Sequence, residues 1–148
     1  MKYLIRIVLL MALTVSLTKC GNDFYAVDDF TKVRKIDTHT HLNSLHTSLA
    51  EQAVQDNFLL LTINVDVPAY PSLHEQKNFA LHQIDKFPDD VKFLTAFTLQ
   101  NWSSEDWAEE TIAKLKTDFD EGALGIKLWK NIGMVYKDSA GQFIIMIN

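Results

Sequence analysis

The sequence predicts an α/β protein in which parallel strands alternate with covering helices. Apolar and β-branched runs typical of buried strands alternate along the chain with segments of helical periodicity. Each helical segment opens with a serine that an acidic residue follows three positions later, which is typical of a capped helix start. The chain has 148 residues and is 47% hydrophobic, enough to build one core and too apolar for a disordered protein.

The elements follow one another as four strand and helix units. Strands are predicted at residues 33–38, 58–65, 91–99 and 123–129. Helices are predicted at residues 48–57, 72–87 and 103–120, with Pro88 closing the second and Gly122 ending the third. The predicted capping pairs are Ser48 with Glu51, Ser72 with Glu75, and Ser103 with Asp106. The third helix carries an apolar stripe that should pack: Trp107, Ala108, Ile112, Leu115 and Phe119.

Two architectures are compatible with four such units. One is a small doubly wound sheet, and the other is the N-terminal half of a (β/α)₈ TIM barrel, which typically needs about 250 residues. A nucleotide-binding doubly wound fold would carry a Gly-rich phosphate loop after its first strand, and this chain has none there. The half barrel is therefore favoured.

The first 19 residues predict an export signal. They contain Lys2, Arg6 and Lys19 without an acid, and their uncharged run over residues 7–18 is too short to span a bilayer. With Cys20 the stretch resembles a bacterial lipoprotein signal, in which the cysteine becomes the lipidated first residue. We therefore expect residues 1–19 to be a signal peptide, 20–30 an acidic tether and 31–148 the partial barrel domain.

This resemblance places the protein in the bacterial cell envelope, anchored to the membrane through Cys20. Since Cys20 is the single cysteine, an internal disulfide is excluded. A secreted protein with a free thiol and an uncleaved anchor are the alternatives. The net charge of −5, more negative once the basic signal is removed, argues against nucleic acid as a partner.

The segment from Ile36 to Leu42 carries the most informative motif. Strand alternation predicts that Asp37, His39 and His41 share one face, with the two imidazoles adjacent. Two neutral imidazoles form half of a zinc or similar site. Surface histidines at a strand end are the alternative interpretation. Asp37 would either hold a histidine tautomer or bond the backbone.

Lys127 lies near the carboxyl end of the fourth strand, where barrel enzymes place catalytic groups, and shares a face with Trp129. A lysine whose stem packs at the barrel mouth is the alternative. Three polar residues follow strands two and three and would lie on the same rim, unless they only form turns: Asp66, Gln100 and Asn101. The other histidines are predicted to be surface or packing residues: His46, His74 and His82.

Two motifs in this order resemble the amidohydrolase superfamily, in particular its amidohydrolase-related branch of metal-dependent hydrolases and decarboxylases. The motifs are residues 35–41 and 122–134, and the resemblance runs from about Arg34 to Phe143. It implies metal-ligand roles for His39 and His41. In binuclear members a strand-four lysine is carboxylated and bridges two metals, which would make Lys127 a ligand and catalytic group.

The resemblance also implies that Trp129 and the loop 130–134, with Asn131, contact a small-molecule substrate. The expected cofactor is a divalent metal, zinc by preference, and the number of ions stays open, as does the oligomeric state. The expected activity is hydrolysis of an amide, lactone or ester by a metal-activated water. A decarboxylase of unsaturated or aromatic acids is one alternative.

An inactive envelope-anchored fragment is the other alternative. Members of the resembled family add histidines from strands five and six and an aspartate from strand eight, which lie beyond this sequence. We therefore expect these 148 residues alone to be a truncated, catalytically incomplete half barrel with open strand edges.

Overall fold

The structure, a computed structural model, describes residues 25–144. The chain divides into two units, residues 1–33 and 34–148. In its described part the first unit contains one short 3₁₀ helix, Val27–Asp29. The predicted signal peptide and Cys20 lie outside the described residues, so their assignment stays a prediction.

The second unit is a small α/β fold, which confirms the predicted class. Its strands β1 (Lys35–Thr40), β2 (Phe58–Ile63) and β3 (Val91–Leu94) form one parallel sheet in the order β1-β2-β3. The helices are α1 (Ser48–Gln55), α2 (Leu73–Lys86), α3 (Trp107–Asp120) and the short α4 (Asn131–Met134). Over residues 25–144, no helix combines the length and apolar character that crossing a bilayer requires.

The strand predicted at residues 123–129 does not form, although this segment does lie next to β3, where the fourth strand was expected. Residues 123–129 form a single parallel bridge, between Thr95 and Ile126, rather than a strand. The backbone N–H of Thr95 donates to the carbonyl of Gly125, and that of Lys127 donates to the carbonyl of Thr95. Pairing stops there because a turn begins at Trp129, whose carbonyl accepts from a residue three positions on. The segment therefore lies beside β3, parallel to it.

The core fills the side of the sheet that the helices cover. One cluster joins β2 and β3 to α1 and the chain after β1: Leu42, Ala50, Ala53, Leu60 and Val91. A second joins β3 to α2 and the segment after α3: Ala80, Phe93 and Ala123. On the helices, the fully buried members of the two clusters are the alanines, and the partly buried Leu81 and Ile84 of α2 pack beside them.

The capping prediction holds for α2 and is wrong for α1. The Ser72 hydroxyl accepts from the Glu75 backbone N–H at 3.2 Å, and the Glu75 carboxylate accepts from the Ser72 N–H at 2.9 Å. In α1 the N-cap is Thr47, and Ser48 is already the first helical residue. The Thr47 hydroxyl donates to the Glu51 carboxylate at 2.6 Å instead of capping a backbone N–H.

Helix α3 starts later than predicted, at Trp107 with Asp106 as N-cap, so Ser103 does not cap it. The preceding residues are held in turns, with Asn101 in the left-handed region at φ 57°. The Trp107 indole N–H donates to the Thr98 carbonyl at 3.0 Å, which ties the helix start to the segment after β3; the predicted third strand, 91–99, therefore ends earlier than expected, at Leu94.

The predicted packing face of α3 is also wrong. Ile112 and Phe119 are 53% and 44% exposed, whereas Asp118 is fully buried. Burial of this carboxylate is tolerated because it accepts hydrogen bonds from the Thr95 hydroxyl and the Lys114 ammonium. Of the predicted stripe only Trp107 and Leu115 are half-buried, so α3 is held mainly by the polar network around Asp118.

Candidate functional site

A bulge in β1 sets the direction of the His-x-His motif. Asp37 pairs with Leu60 and Thr40 pairs with Thr62, so two β1 residues lie opposite one β2 residue. Paired residues of parallel strands point to the same face, and Leu60 belongs to the helix-covered core. By alternation the two histidines therefore point to the opposite, uncovered face. The prediction that Asp37 shares their face is wrong, because the extra residue inverts the alternation.

The two imidazoles lie close enough to share one ion. The ring centroids of His39 and His41 are 5.4 Å apart, with an angle of 77° between the ring planes. A zinc–nitrogen bond of about 2.1 Å puts each ring centroid about 3 Å from the ion, so tetrahedral coordination separates two centroids by about 5 Å. The observed spacing fits joint ligation of one divalent ion.

The backbone fixes the tautomer of His41. Its Nδ1 lies 3.1 Å from the Ile63 carbonyl oxygen, which can only accept, so Nδ1 carries the proton. The lone pair is therefore on Nε2, the usual metal-binding arrangement. The Tyr70 ring packs edge to face on the His41 ring at 5.1 Å. The Asp37 carboxylate accepts from the His39 backbone N–H at 2.9 Å, so of its two predicted roles Asp37 has that of bonding the backbone.

Lys127 lies on the same face of the sheet as the imidazoles. Ile126 pairs with Thr95, whose hydroxyl bonds to Asp118 on α3, so Ile126 faces the helices and Lys127 faces away. Three strand spacings separate this segment from β1, about 14 Å along the sheet. The structure thus places Lys127 and the histidines on one face without contact between them. The Lys127 ammonium has no hydrogen-bond or ion-pair partner within residues 25–144.

The predicted substrate residues gather around a small cleft beside Lys127. Its lining includes Asp66, Lys127, Trp129 and Asn131. The Asn131 side chain is buried, and its amide oxygen accepts from the Ile132 backbone N–H at 3.0 Å. Asn131 therefore serves the local turn, while the other three side chains border the opening.

A larger cavity of about 340 Å³ is also lined by Asp66. Tyr70, Gln100 and Tyr136 line it with Asp66, so two of the predicted rim residues lie together there. Burial raises the pKa of Tyr136, and the negative charge of Asp66 raises it further. Asn101 is instead a turn residue that lines a separate cavity of about 510 Å³ next to α3.

Sequence reasoning missed two buried glutamines on α2 that hold the loops of the site. The Gln76 amide accepts from the Val65 N–H at 3.0 Å and donates to the Val65 carbonyl at 2.9 Å, which positions Asp66 next to it. The Gln83 amide donates to the carbonyls of Ser44 and His46, which fixes the loop after β1. The sequence feature that could have identified them is their spacing of seven residues, which puts both glutamines on one helix face.

Among residues 25–144, no group of three or more histidine, cysteine, aspartate or glutamate side chains is placed to hold a metal. His46 lies in the loop before α1, while His74 and His82 lie on α2. The His74 ring accepts from the Asn78 amide at 3.1 Å. The described part of the chain therefore supplies two neighbouring imidazoles and, among these residue types, no third ligand placed with them.

Comparison of the chain with protein-family models, with curated proteins and with solved structures finds no match. Function is therefore inferred from this geometry and from the two motifs.

Proposed function

We propose that this protein is a metal-dependent hydrolase of the amidohydrolase superfamily that acts on an amide, lactone or ester. The observation that carries the proposal is the imidazole pair, 5.4 Å apart between ring centroids, on the uncovered face at the end of β1. The Nδ1–H bond from His41 to the Ile63 carbonyl supports it, because metal-binding histidines usually donate their second nitrogen in this way.

The order of the strands supports the (β/α)₈ barrel part of the proposal. Each connection advances to the next strand, and the segment at Ile126 continues the sequence beside β3. A doubly wound sheet would reverse direction at its switch point. Barrel enzymes place their active sites at the carboxyl ends of the strands, where His39, His41 and Lys127 are found.

His39 and His41 would hold the ion, for which zinc suits the nitrogen ligands best. A bound divalent ion supplies Lewis acidity, which lowers the pKa of water and polarises a substrate carbonyl. The backbone bond of His41 orients its ring and keeps the Nε2 lone pair available. Catalytic zinc takes three protein ligands, so we infer that the remaining ligand is a carboxylated Lys127 or a residue from outside residues 25–144.

Lys127 would act on the same face. Curvature of the sheet into a barrel brings side chains of strands one and four toward a common centre, which shortens the separation of about 14 Å along a flat sheet. There its ammonium would bind a polar substrate group, or, once carboxylated, join the metal ligands. Trp129 borders the same opening and would contact the substrate.

The test is zinc-dependent hydrolysis by the full chain of a panel of amides, lactones and esters. We compare the unaltered chain with the double variant His39→Ala, His41→Ala and with the control His46→Ala, His74→Ala, which also removes two exposed imidazoles. The proposal expects bound zinc, and any turnover above background, to fall only in the first variant. Equal zinc content in all three proteins would refute it.

We also propose export to the bacterial envelope and lipidation at Cys20, on the strength of the basic start, the apolar run and the cysteine that follows. Labelled palmitate should enter the unaltered chain and not a Cys20→Ser variant. Incorporation that persists in the variant would show that the lipid attaches elsewhere.

A further inference from the structure

The geometry points to a second binding site, next to the histidine pair, for the ammonium group of a small organic amine. The site is the cavity of about 340 Å³ between Asp66, Tyr70, Gln100 and Tyr136. Its size lies at the lower end of small-molecule sites, so the ligand is a compact amine rather than a peptide. The inference goes beyond the proposed hydrolysis and does not require a bound metal.

The first argument is the unpaired carboxylate of Asp66. The side chain is half-buried, lines the cavity and makes no hydrogen bond and no ion pair with any described residue. Partly buried carboxylates in folded proteins usually have a partner, so an unpaired one calls for an explanation. Its Oδ2 atom is closed to solvent but Oδ1 is not, so a donor in the cavity would bond the carboxylate at Oδ1, and a cationic donor forms the stronger bond.

The second argument is the aromatic wall. Tyr70 and Tyr136 both line the cavity, and aromatic faces attract cations while excluding water. Burial raises the pKa of Tyr136, and the charge of Asp66, which lines the same cavity, raises it further. Among residues 25–144, no Lys or Arg lines the cavity, so a bound ammonium meets no like charge from this part of the chain.

The start of α2 also lies on the cavity, and a helix N-terminus by itself favours anions. Here Ser72 and Glu75 form a reciprocal capping box, in which the Glu75 N–H donates to the Ser72 hydroxyl and the Ser72 N–H donates to the Glu75 carboxylate. The Glu75 carboxylate adds a negative charge at this helix end, as the lowered pKa from its bonds to Ser72 reflects. The balance of charge at the cavity is therefore negative.

The cavity lies next to the histidine pair. Tyr70 forms one wall, and its ring packs against the His41 ring in a T-shaped arrangement, at 5.1 Å between ring centroids. Gln76 holds the loop that bears Asp66 through both polar groups of Val65. An amine bound here would thus lie beside the imidazoles on a loop that is already fixed.

The experiment is a titration of the metal-free full chain with n-butylamine at neutral pH, followed by NMR shifts of residues around the cavity. 1-Butanol serves as the neutral analogue of equal length, and butyrate as the anion. We expect the amine to bind at least roughly tenfold more tightly than the alcohol, about the effect of one charge-assisted bond. The shifts should be centred on Tyr70, Gln100 and Tyr136.

Two variants test whether the charge of Asp66 is responsible for amine binding. Asp66→Asn should reduce amine affinity to that of the alcohol, whereas Asp85→Asn, the same change on the exposed side of α2, should leave it unaltered. Equal affinity for amine and alcohol, or shifts away from the cavity, would overturn the inference on the unaltered chain. So would an Asp66→Asn variant with normal fold and undiminished amine binding.

Discussion

Polar side chains on the two sides of the sheet differ in how many hydrogen-bond partners they have. On the helix-covered face, Asp118 is fully buried and accepts bonds from Thr95, Lys114 and Lys77, the last at 3.0 Å. On the uncovered face, the His39 ring is exposed, and the Lys127 ammonium lacks any partner among the described residues. The contrast separates polar groups that hold the fold from those that remain available for ligands.

The physical basis of this contrast is the cost of burying charge. Desolvation tends to raise the pKa of Asp118, but the hydrogen bonds from Lys114, Thr95 and Lys77 together lower it. The pKa of Lys77 is raised mainly by its bond to Glu121, against the opposing effect of burial. A network this well satisfied has no capacity left for a ligand, while the imidazole pair retains its metal-binding lone pairs.

The largest effect should follow removal of the network's centre. Asp118→Ala leaves Lys77 and Lys114 without their shared carboxylate, and we expect a loss of about 3 kcal/mol in the free energy of unfolding. Urea denaturation of this variant is compared with Asp120→Ala, an exposed residue of the same helix, which should change stability by less than about 0.5 kcal/mol. Equal losses would mean that the network contributes little.

Low pH should remove the stabilisation that Asp118 provides in the unaltered chain. Because the folded-state pKa of Asp118 lies below its unfolded value, its stabilisation is complete above the unfolded pKa of about 3.9 and is lost as the pH falls through the folded pKa. The stability gap between the unaltered chain and Asp118→Asn should therefore be constant near neutrality and shrink below about pH 4. A gap that widens on acidification would contradict this sign.

The smallest effects should come from the histidines. His41→Ala removes the bond to the Ile63 carbonyl and the contact with Tyr70, so we expect a loss of about 1 kcal/mol. His39→Ala, at an exposed position, should change the free energy of unfolding by less than about 0.5 kcal/mol. A loss from His39→Ala as large as that from Asp118→Ala would show that His39 supports the fold.

Sequence periodicity predicted the elements well where burial follows an apolar pattern. The starts of β2 and β3, the capped start of α2 and the end of α3 before Gly122 all lie where expected, Gly122 taking φ 101° after the helix. It did not predict the inward face of α3, because a pattern of apolar residues assigns a charged side chain such as Asp118 to the surface. Only the Thr95 hydroxyl and two lysines make its burial tolerable, and Thr95 and Lys77 are remote from it in sequence.

The roles predicted for the site residues stay predictions, whereas their geometry can be compared with the sequence. His39, His41 and Lys127 lie on one face of the sheet, yet the β1 bulge that turns Asp37 away depends on pairing with β2. Tyr70 and Tyr136 carry no motif, and they meet at one cavity only through the loops after β2 and α4. Which loop residues meet at a cavity depends on tertiary contacts, and the spacing of residues along the sequence does not reveal these contacts.

The most direct test of the metal-site account is long-range ¹⁵N–¹H NMR of the histidine rings in the full chain, before and after addition of zinc. Without metal, His41 should be the Nδ1–H tautomer that the Ile63 carbonyl requires. Zinc should then shift the ring nitrogens of His39 and His41 together and leave those of His46, His74 and His82 unchanged. An Nε2–H tautomer for His41, or zinc shifts at the other histidines instead, would contradict it.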